Sequence, residues 1–273
     1  MMNKTIKILC SDIDGTLLNK ERWLSDETVY AFAKAGLPLI LASSRPPQAM
    51  RYLQEGLDNL GESLIAFNGG LIIGNNNTII ESNTFPTSLL ESLASHHTKH
   101  TYNLSIYSHE HWFTDKEDEW SLREINNTRA TPVYQTALES LDFLNNEHLG
   151  IHKLMCMGNP EELDEIIELL TPAYGDTVHF YRSKDTYIEI TPKNVDKATA
   201  LRKLLVAEYG YEMSEVMAFG DNHNDDELIK KVGLGVAVAN ATDTLKSLAD
   251  YVSPFTSKEH AVAQAINKFL IAD

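Results

Sequence analysis

The spacing of apolar and polar residues predicts a chain that alternates strands and helices at its two ends. An amphipathic helix is predicted after Ser25, a good N-cap, and Gly36 is suited to end it. Further helices are predicted around Met50–Leu57 and from Asp196 through Leu201, Leu204 and Leu205. Short apolar runs predict the strands, at residues 7–10, 37–42, 64–67, 71–73, 78–80, 216–219, 236–239 and 251–252. This alternation is typical of an α/β fold with a mainly parallel sheet.

The middle of the chain has a different pattern. Between residues 86 and 185, amphipathic helices around 89–93, 120–125 and 163–170 are separated by strands near 104–107, 112–114, 153–157 and 178–181. Most of these strands have one apolar face, which favours antiparallel pairing. We therefore predict a core formed by residues 1–83 and 188–273, with an inserted α+β domain at residues 84–187.

Four predicted strands of the core end in polar side chains. Asp12 and Asp14 follow the first strand, Ser43 the second and Asn68 the third, whereas Asp221 and Asp225 follow a later one. Ligands of α/β sheets bind at the carboxyl ends of the strands. Carboxylate oxygens suit Mg²⁺, and Lys197, at a predicted helix start, offers a positive charge to phosphoryl oxygens. Each feature alone has a simpler interpretation: a turn for Asp-x-Asp-Gly, a solvated lysine, and a first-turn acid for Asp225.

The composition limits the kinds of partner that the protein can bind and indicates its cellular compartment. The 273 residues carry a formal charge of −16, from 23 basic and 39 acidic residues, which argues against a nucleic-acid or membrane-surface partner. Cys10 and Cys156 lie in apolar runs, as expected for buried thiols in a reducing compartment. Because no signal-type segment or long apolar run is found, we expect a cytoplasmic protein.

Eight of the ten histidines fall between residues 96 and 179. His96, His97, His100, His109 and His111 suggest a zinc site, but no cysteine or patterned acid accompanies them in the sequence. We therefore interpret them as polar surface residues.

Four motifs, in order, resemble those of the haloacid dehalogenase superfamily, most closely its Cof-type sugar-phosphatase branch. They are Asp12-Ile13-Asp14-Gly15-Thr16, Ala42-Ser43-Ser44-Arg45-Pro46, Lys197 within residues 195–201, and Gly220-Asp221-Asn222-His223-Asn224-Asp225. Supporting matches at residues 67–69 and 235–241 extend the resemblance over nearly the whole chain. It implies a Rossmann-like, three-layer core with a mobile α/β cap domain inserted between the second and third motifs.

The resemblance also implies roles for individual residues. Asp12 would be the nucleophile that forms an aspartyl-phosphate, Asp14 the general acid and base, and Lys197 the cation that stabilises phosphoryl charge. Asp12, the backbone carbonyl of Asp14, and Asp221 would hold Mg²⁺, with Asp225 supporting the lysine or the metal ligands. The phosphate-binding residues would be Ser43, Ser44, Arg45, Asn68 and Asn224. Ser43 and Ser44 stand where threonine and glycine are usual in the family, so the hydroxyl is kept but the close approach of the Ser44 amide is less assured.

The expected function is that of a Mg²⁺-dependent phosphatase for a small phosphorylated metabolite, with sugar phosphates favoured by the resemblance. A phosphotransferase or phosphomutase is the main alternative, because an aspartyl-phosphate can pass to an alcohol instead of water. A non-catalytic regulator that binds a phosphorylated metabolite ranks below both, since it would lack a catalytic group and none is missing here. The hairpin tips at residues 108–110 and 182–185 are expected to contribute to substrate choice.

Overall fold

The computed structural model describes residues 5–271, apart from the side chain of Ser183. The strands, numbered in chain order, are β1 (Ile8–Ser11), β2 (Leu39–Ala42), β3 (Leu64–Ala66), β4 (Leu71–Ile73), β5 (Ile79–Ser82), β6 (Asn103–Ser108), β7 (His111–Thr114), β8 (Val133–Tyr134), β9 (Lys153–Met157), β10 (Val178–Lys184), β11 (Tyr187–Pro192), β12 (Val216–Gly220), β13 (Leu234–Ala237) and β14 (Tyr251–Val252).

The helices, numbered in the same way, connect these strands. They are α1 (Asp26–Ala35), α2 (Gln48–Gly56), α3 (Ser88–His97), α4 (Glu119–Thr128), α5 (Ala137–Asn146), α6 (Pro160–Tyr174), α7 (Lys197–Leu204), α8 (Asp226–Lys231), α9 (Asp243–Leu248) and α10 (Ala261–Ile266). Among the helices of residues 5–271, none combines the length and the hydropathy that a membrane crossing requires.

The chain folds into two compact units, which we describe separately. Within the described residues, the first contains residues 5–44, 50–81 and 196–271, and the second contains residues 45–49 and 82–195. Residues 188–195 therefore belong to the second unit, whereas the sequence placed them in the core. The reason is that β11 pairs antiparallel with both β9 and β10, as a strand of the second sheet.

The first unit is built on a sheet with the strand order β14-β13-β12-β1-β2-β3-β4-β5. The pairs from β14 to β3 are parallel, and β4 is antiparallel to β3. Every residue of β1, β2 and β12 is buried, as expected for strands covered on both faces. Leu201, Leu204 and Leu205 join the core of this unit, as the sequence predicted.

The predicted ends of α1 are confirmed. The Ser25 side chain accepts a hydrogen bond from the Thr28 N–H, and Gly36 ends the helix in the left-handed conformation at φ 62°. Cys10 and Cys156 are both buried free thiols, as expected.

The second unit contains a mainly antiparallel sheet with the order β10-β11-β9-β6-β7-β8. Leu93, Leu144, Ile166 and Leu170 of its helices pack with the apolar face of this sheet. Helix α5 and the short strand β8 were not predicted from the sequence. Helix α5 starts at a capping box, in which Thr136 and Glu139 bond each other's backbone N–H groups.

Candidate active site

The parallel register of the first sheet brings the predicted polar residues to one edge. Ser11 of β1 is level with Phe219 of β12 on one side and with Leu41 of β2 on the other. The residues that follow these strands, Asp12, Asp221 and Ser43, therefore leave the sheet side by side at its carboxyl end.

Lys197 is the centre of this cluster. Its side chain is fully buried, and its Nζ donates hydrogen bonds to Asp12 Oδ1 at 2.6 Å and to Asp225 Oδ1 at 2.7 Å. Burial alone would lower the pKa of Lys197, but the two carboxylates outweigh burial and raise it. Lys197 is therefore a permanent cation. Asp196 fixes its place by accepting a hydrogen bond from the Thr199 N–H at the start of α7.

Asp225 anchors both the lysine and the loop that follows β12. While its Oδ1 accepts from Lys197, its Oδ2 accepts from the backbone N–H of Asp221 at 3.1 Å and of Asn222 at 3.4 Å. The residue is completely buried. Gly220 makes room for it, because a Cβ there would lie 2.6 Å from the Cβ of Asp225.

Asp221 faces the turn that follows β1. Thr16 Oγ1 donates to Asp221 Oδ1 at 3.1 Å, and a Cβ on Gly15 would lie 2.3 Å from Asp221 Oδ2. Gly15 also has φ +86°, a conformation that L residues rarely adopt. The Asn240 side chain donates to the Gly15 carbonyl at 2.8 Å. No role was predicted for Thr16 or Asn240, whose side chains hold this turn against Asp221.

The carboxylates of this cluster repel one another. Burial, together with Asp225 and Asp221 and opposed by Lys197, raises the pKa of Asp12 to about 8. Burial and the neighbouring Asp225 raise the pKa of Asp221 to about 6. Three carboxylates face one lysine, and oxygens of Asp12, Asp221 and Asp225 lie within 4.8 Å of one another. Such an arrangement favours the binding of a cation.

Asp14 lies nearer the surface and is paired with Arg22. The guanidinium Nη2 of Arg22 lies 2.6 Å from Asp14 Oδ1, and both side chains are partly exposed. Arg22 has φ 56° and lies in a turn in which the Asn19 side chain accepts from the N–H groups of Glu21 and Trp23. The sequence analysis missed Arg22, because nothing local indicates that this turn folds back onto Asp14.

The predicted phosphate-binding residues fall into two groups. Ser43 is buried directly after β2, its carbonyl accepts from the Asn68 N–H, and Ser44 follows it. Asn68 Oδ1 accepts from the Asn224 side chain at 3.0 Å, which joins two of the predicted residues.

Arg45 differs from these residues in its location. It groups with the second unit, where its guanidinium donates to the carbonyls of Ala49 and Asn127.

Comparisons with known proteins place this geometry in a family. The model of the haloacid dehalogenase-like hydrolases matches residues 9–266. The chain is 31% identical to the 5-amino-6-(5-phospho-D-ribitylamino)uracil phosphatase of Bacillus subtilis, over 97% of this chain and 96% of the relative. It is 27% identical to the HMP-PP phosphatase of Yersinia enterocolitica, over 88% and 86% of the two chains.

A solved structure agrees with these matches. A haloacid dehalogenase-like hydrolase from Bacteroides thetaiotaomicron superposes with a TM-score of 0.86 and 27% identity, over 97% of this chain and 99% of that one. Its fold extends through both units described above. The chain belongs to the haloacid dehalogenase-like hydrolase family.

Proposed function

We propose that this protein is a Mg²⁺-dependent phosphatase that hydrolyses a small phosphorylated metabolite through an aspartyl-phosphate on Asp12. The observation that carries the proposal is the buried contact of Lys197 with Asp12 and Asp225 at the carboxyl edge of the sheet. A cation held between two carboxylates is placed to neutralise phosphoryl oxygens, and charge neutralisation with positioning supplies most of the catalysis of phosphoryl transfer.

The names of two relatives support the type of reaction. The Bacillus subtilis protein is named as a phosphatase of a phosphoribitylamino compound, and the Yersinia enterocolitica protein as a phosphatase of HMP-PP. The substrate that we propose here is a phosphorylated metabolite of similar size, with sugar phosphates preferred.

In the first step, an oxygen of the Asp12 carboxylate attacks phosphorus and the bond from phosphorus to the ester oxygen breaks. Asp14, in its protonated form, gives its proton to the departing alkoxide. Lys197 contacts Asp12 through Oδ1 and, as a permanent cation, favours the ionised, nucleophilic carboxylate.

In the second step, water attacks phosphorus while Asp14 takes its proton. The bond from phosphorus to Asp12 breaks, which releases inorganic phosphate and restores both carboxyl groups. The hydroxyl of Ser43 and the side chains of Asn68 and Asn224 would hold the phosphoryl oxygens during both steps.

The residues present fit a magnesium ion. Asp12 and Asp221 offer hard carboxylate oxygens close together, and the backbone carbonyl of Asp14 is the third proposed ligand. Both oxygens of Asp225 are engaged by Lys197 and by backbone N–H groups, so we assign Asp225 to positioning instead of coordination. When bound, the ion would supply positive charge that favours the ionised carboxylates and the negative phosphoryl group.

Residues 84–187 are proposed to choose among leaving groups. The motifs of the first unit supply groups for phosphate and metal chemistry alone, and specificity among natural substrates needs further contacts. The hairpin tips at residues 108–110 and 182–185 cannot both contact one small substrate. Met157 of β9 pairs with Asn103 of β6 and with Tyr187 of β11, which places the two tips at opposite ends of the second sheet. One of the two tips remains the proposed contact; the side chain of Ser183 lies outside the described ones.

The test is a panel of phosphorylated metabolites, assayed for phosphate release with and without Mg²⁺ and without an added acceptor. We expect release from the wild type, none from Asp12→Asn, and a loss of about 10²–10⁴ in rate for Asp14→Asn, as for a lost general acid. Asp14→Asn should bind Mg²⁺ normally, because its backbone carbonyl is retained. Asp26→Asn, an exposed acid of α1, is the matched control.

Two results would contradict the proposal. Near-normal turnover by Asp12→Asn would exclude the covalent intermediate. Transfer of the phosphoryl group to an added alcohol, with no free phosphate released in its absence, would instead identify a phosphotransferase.

A further inference from the structure

The C-terminal end of α3 and the facing side of α6 bring together His96, His100 and Glu165 in the second unit. Glu165 Oε2 lies 3.4 Å from His96 Nε2 and 3.0 Å from His100 Nε2. The two imidazole rings stack, with centroids 3.9 Å apart and planes at 11°, so an ion in the plane of one ring is reached by the other only when that other ring turns. One potential ligand atom from each residue lies within 4.8 Å of the others.

The other ring nitrogen of His100 determines which atom faces Glu165. His100 Nδ1 lies 2.8 Å from the backbone carbonyl oxygen of His96. A carbonyl only accepts hydrogen bonds, so Nδ1 must carry the hydrogen. In the neutral ring, Nε2 then presents a lone pair to a carboxylate oxygen 3.0 Å away. Two acceptors at this distance need a positive species between them, either a proton or a metal ion.

His96 makes longer contacts than His100, so we expect its ring to be the one that turns. Its Nδ1 lies 3.2 Å from the hydroxyl of Tyr102, which can accept a hydrogen bond and leave Nε2 for a metal. Partners on the second nitrogen commonly orient histidines that ligate metals.

The two distances from Glu165 match those of a transition-metal site. Metal bonds of about 2.0–2.1 Å in tetrahedral geometry place neighbouring ligand atoms about 3.3 Å apart. The two contacts of Glu165, at 3.4 and 3.0 Å, bracket this value. We propose that His96, His100 and Glu165 form a binding site for Zn²⁺ or a similar transition-metal ion. Two imidazoles select such ions over Mg²⁺, and a fourth position stays open to water or an added ligand.

This proposal revises the interpretation of the histidines made from the sequence. That interpretation rested on the lack of an accompanying acid, yet Glu165 lies 69 residues after His96 and reaches it only through the packing of α6 against α3. Leu93 of α3 and Ile166 of α6 belong to the same buried core. An ion at this site would cross-link α6 to the end of α3 and to the turn that follows it, and would stabilise the folded second unit.

The test uses the full chain, stripped of metal with a chelator and then kept in excess Mg²⁺ to occupy the acidic site. We expect calorimetry to show one Zn²⁺ bound per chain, and Co²⁺ to give the intense visible absorption of a tetrahedral nitrogen and oxygen site. Glu165→Gln and His100→Ala should each weaken Zn²⁺ binding at least about tenfold. The matched controls are Glu168→Gln on α6 and His179→Ala on β10, both exposed, which should bind like the wild type.

A comparison with Asp221→Asn separates the two sites. If Zn²⁺ binding persists in Glu165→Gln and His100→Ala but is lost in Asp221→Asn, the ion belongs to the acidic cluster and the proposal is wrong. Absence of Zn²⁺ binding in the wild type would also overturn it. Glu165 is exposed, so its glutamine variant should fold, and circular dichroism in chelator checks that it does.

Discussion

Arg22 and Asp14 form an ion pair within the candidate active site. The guanidinium of Arg22 contacts Oδ1 of Asp14, the side chain to which we assign proton transfer. Because both groups are partly exposed, we expect the pair to contribute little to stability. Its effect should instead be on the orientation of Asp14.

We predict that Arg22→Ala lowers kcat with little change in KM. Small displacements of a reacting group can cost up to about 100-fold in rate, so we expect a loss of roughly ten- to 100-fold. Arg22→Lys should recover part of the rate, because the charge is kept while the planar fork is lost. Steady-state kinetics on the best substrate of the panel, with Arg202→Ala as an exposed control, measures this. An Arg22→Ala enzyme with wild-type kcat would show that Asp14 needs no such support.

At the scale of an element, the turn after β1 depends on Gly15. Gly15 and Gly61 have nearly the same positive φ, at +86° and +88°. They differ in their surroundings, since a Cβ at Gly15 would lie 2.3 Å from Asp221 Oδ2, whereas nothing lies within 4 Å of a Cβ at Gly61. Substitutions at the two positions therefore distinguish the effect of backbone strain from the effect of displacing Asp221.

We predict that Gly15→Ala weakens Mg²⁺ binding and lowers kcat/KM by at least about tenfold, because Asp221 must move. Gly61→Ala should cost roughly 1–2 kcal/mol of stability through its backbone conformation alone and leave activity unchanged. Mg²⁺ titration and thermal unfolding of both variants provide the comparison. Equal loss of activity in the two variants would mean that strain, and not the displacement of Asp221, is responsible.

The elements show why part of the site was predictable from the sequence. Asp12, Ser43, Asn68 and Asp221 were located correctly at the sheet edge because apolar runs mark parallel strands, whose carboxyl ends meet at that edge. Their chemical roles remain predictions. The boundary at residue 188 was placed too early, since β11 has the alternating pattern of the second sheet but was assigned to the core.

At the scale of the whole molecule, repulsion among the carboxylates of Asp12, Asp221 and Asp225 destabilises the folded first unit. The chain has a formal charge of −16, and burial with the neighbouring Asp225 raises the pKa of Asp221 from its ordinary value of 3.8 to about 6. Between these two pH values the folded chain holds more protons than the unfolded chain. The free energy of unfolding therefore falls as the pH rises through this window, and the loss stays constant above it.

We predict that, without divalent ions, Asp221→Asn is more stable than the wild type at pH 7.5 by roughly 1–2 kcal/mol, after allowance for partial exposure of the side chain. The difference should shrink as the pH falls from 6 to 3.8 and vanish below about pH 3, where the acid is neutral in both states. Added Mg²⁺ should reverse the order, because only the wild type binds the ion tightly. Hydrogen exchange of β1 and β12 reports on the first unit alone and can measure all three conditions.

Glu55→Gln, an exposed substitution on α2, is the control for a lost charge. If it stabilised the metal-free protein as much as Asp221→Asn does, net charge and not the buried cluster would be the cause. If Mg²⁺ stabilised Asp221→Asn as much as the wild type, Asp221 would not be a ligand.

The sequence by itself determined the alternation of strands and helices, the inserted α+β segment and the polar residues at the strand ends. These features follow from local periodicity and from the shared direction of parallel strands. Only the tertiary structure decided which side chains touch. Lys197 meets Asp12 across 185 residues, Arg22 reaches Asp14 through a folded turn, and Glu165 joins His96 across 69 residues. Such contacts depend on the packing of distant segments, which local patterns of polarity do not specify.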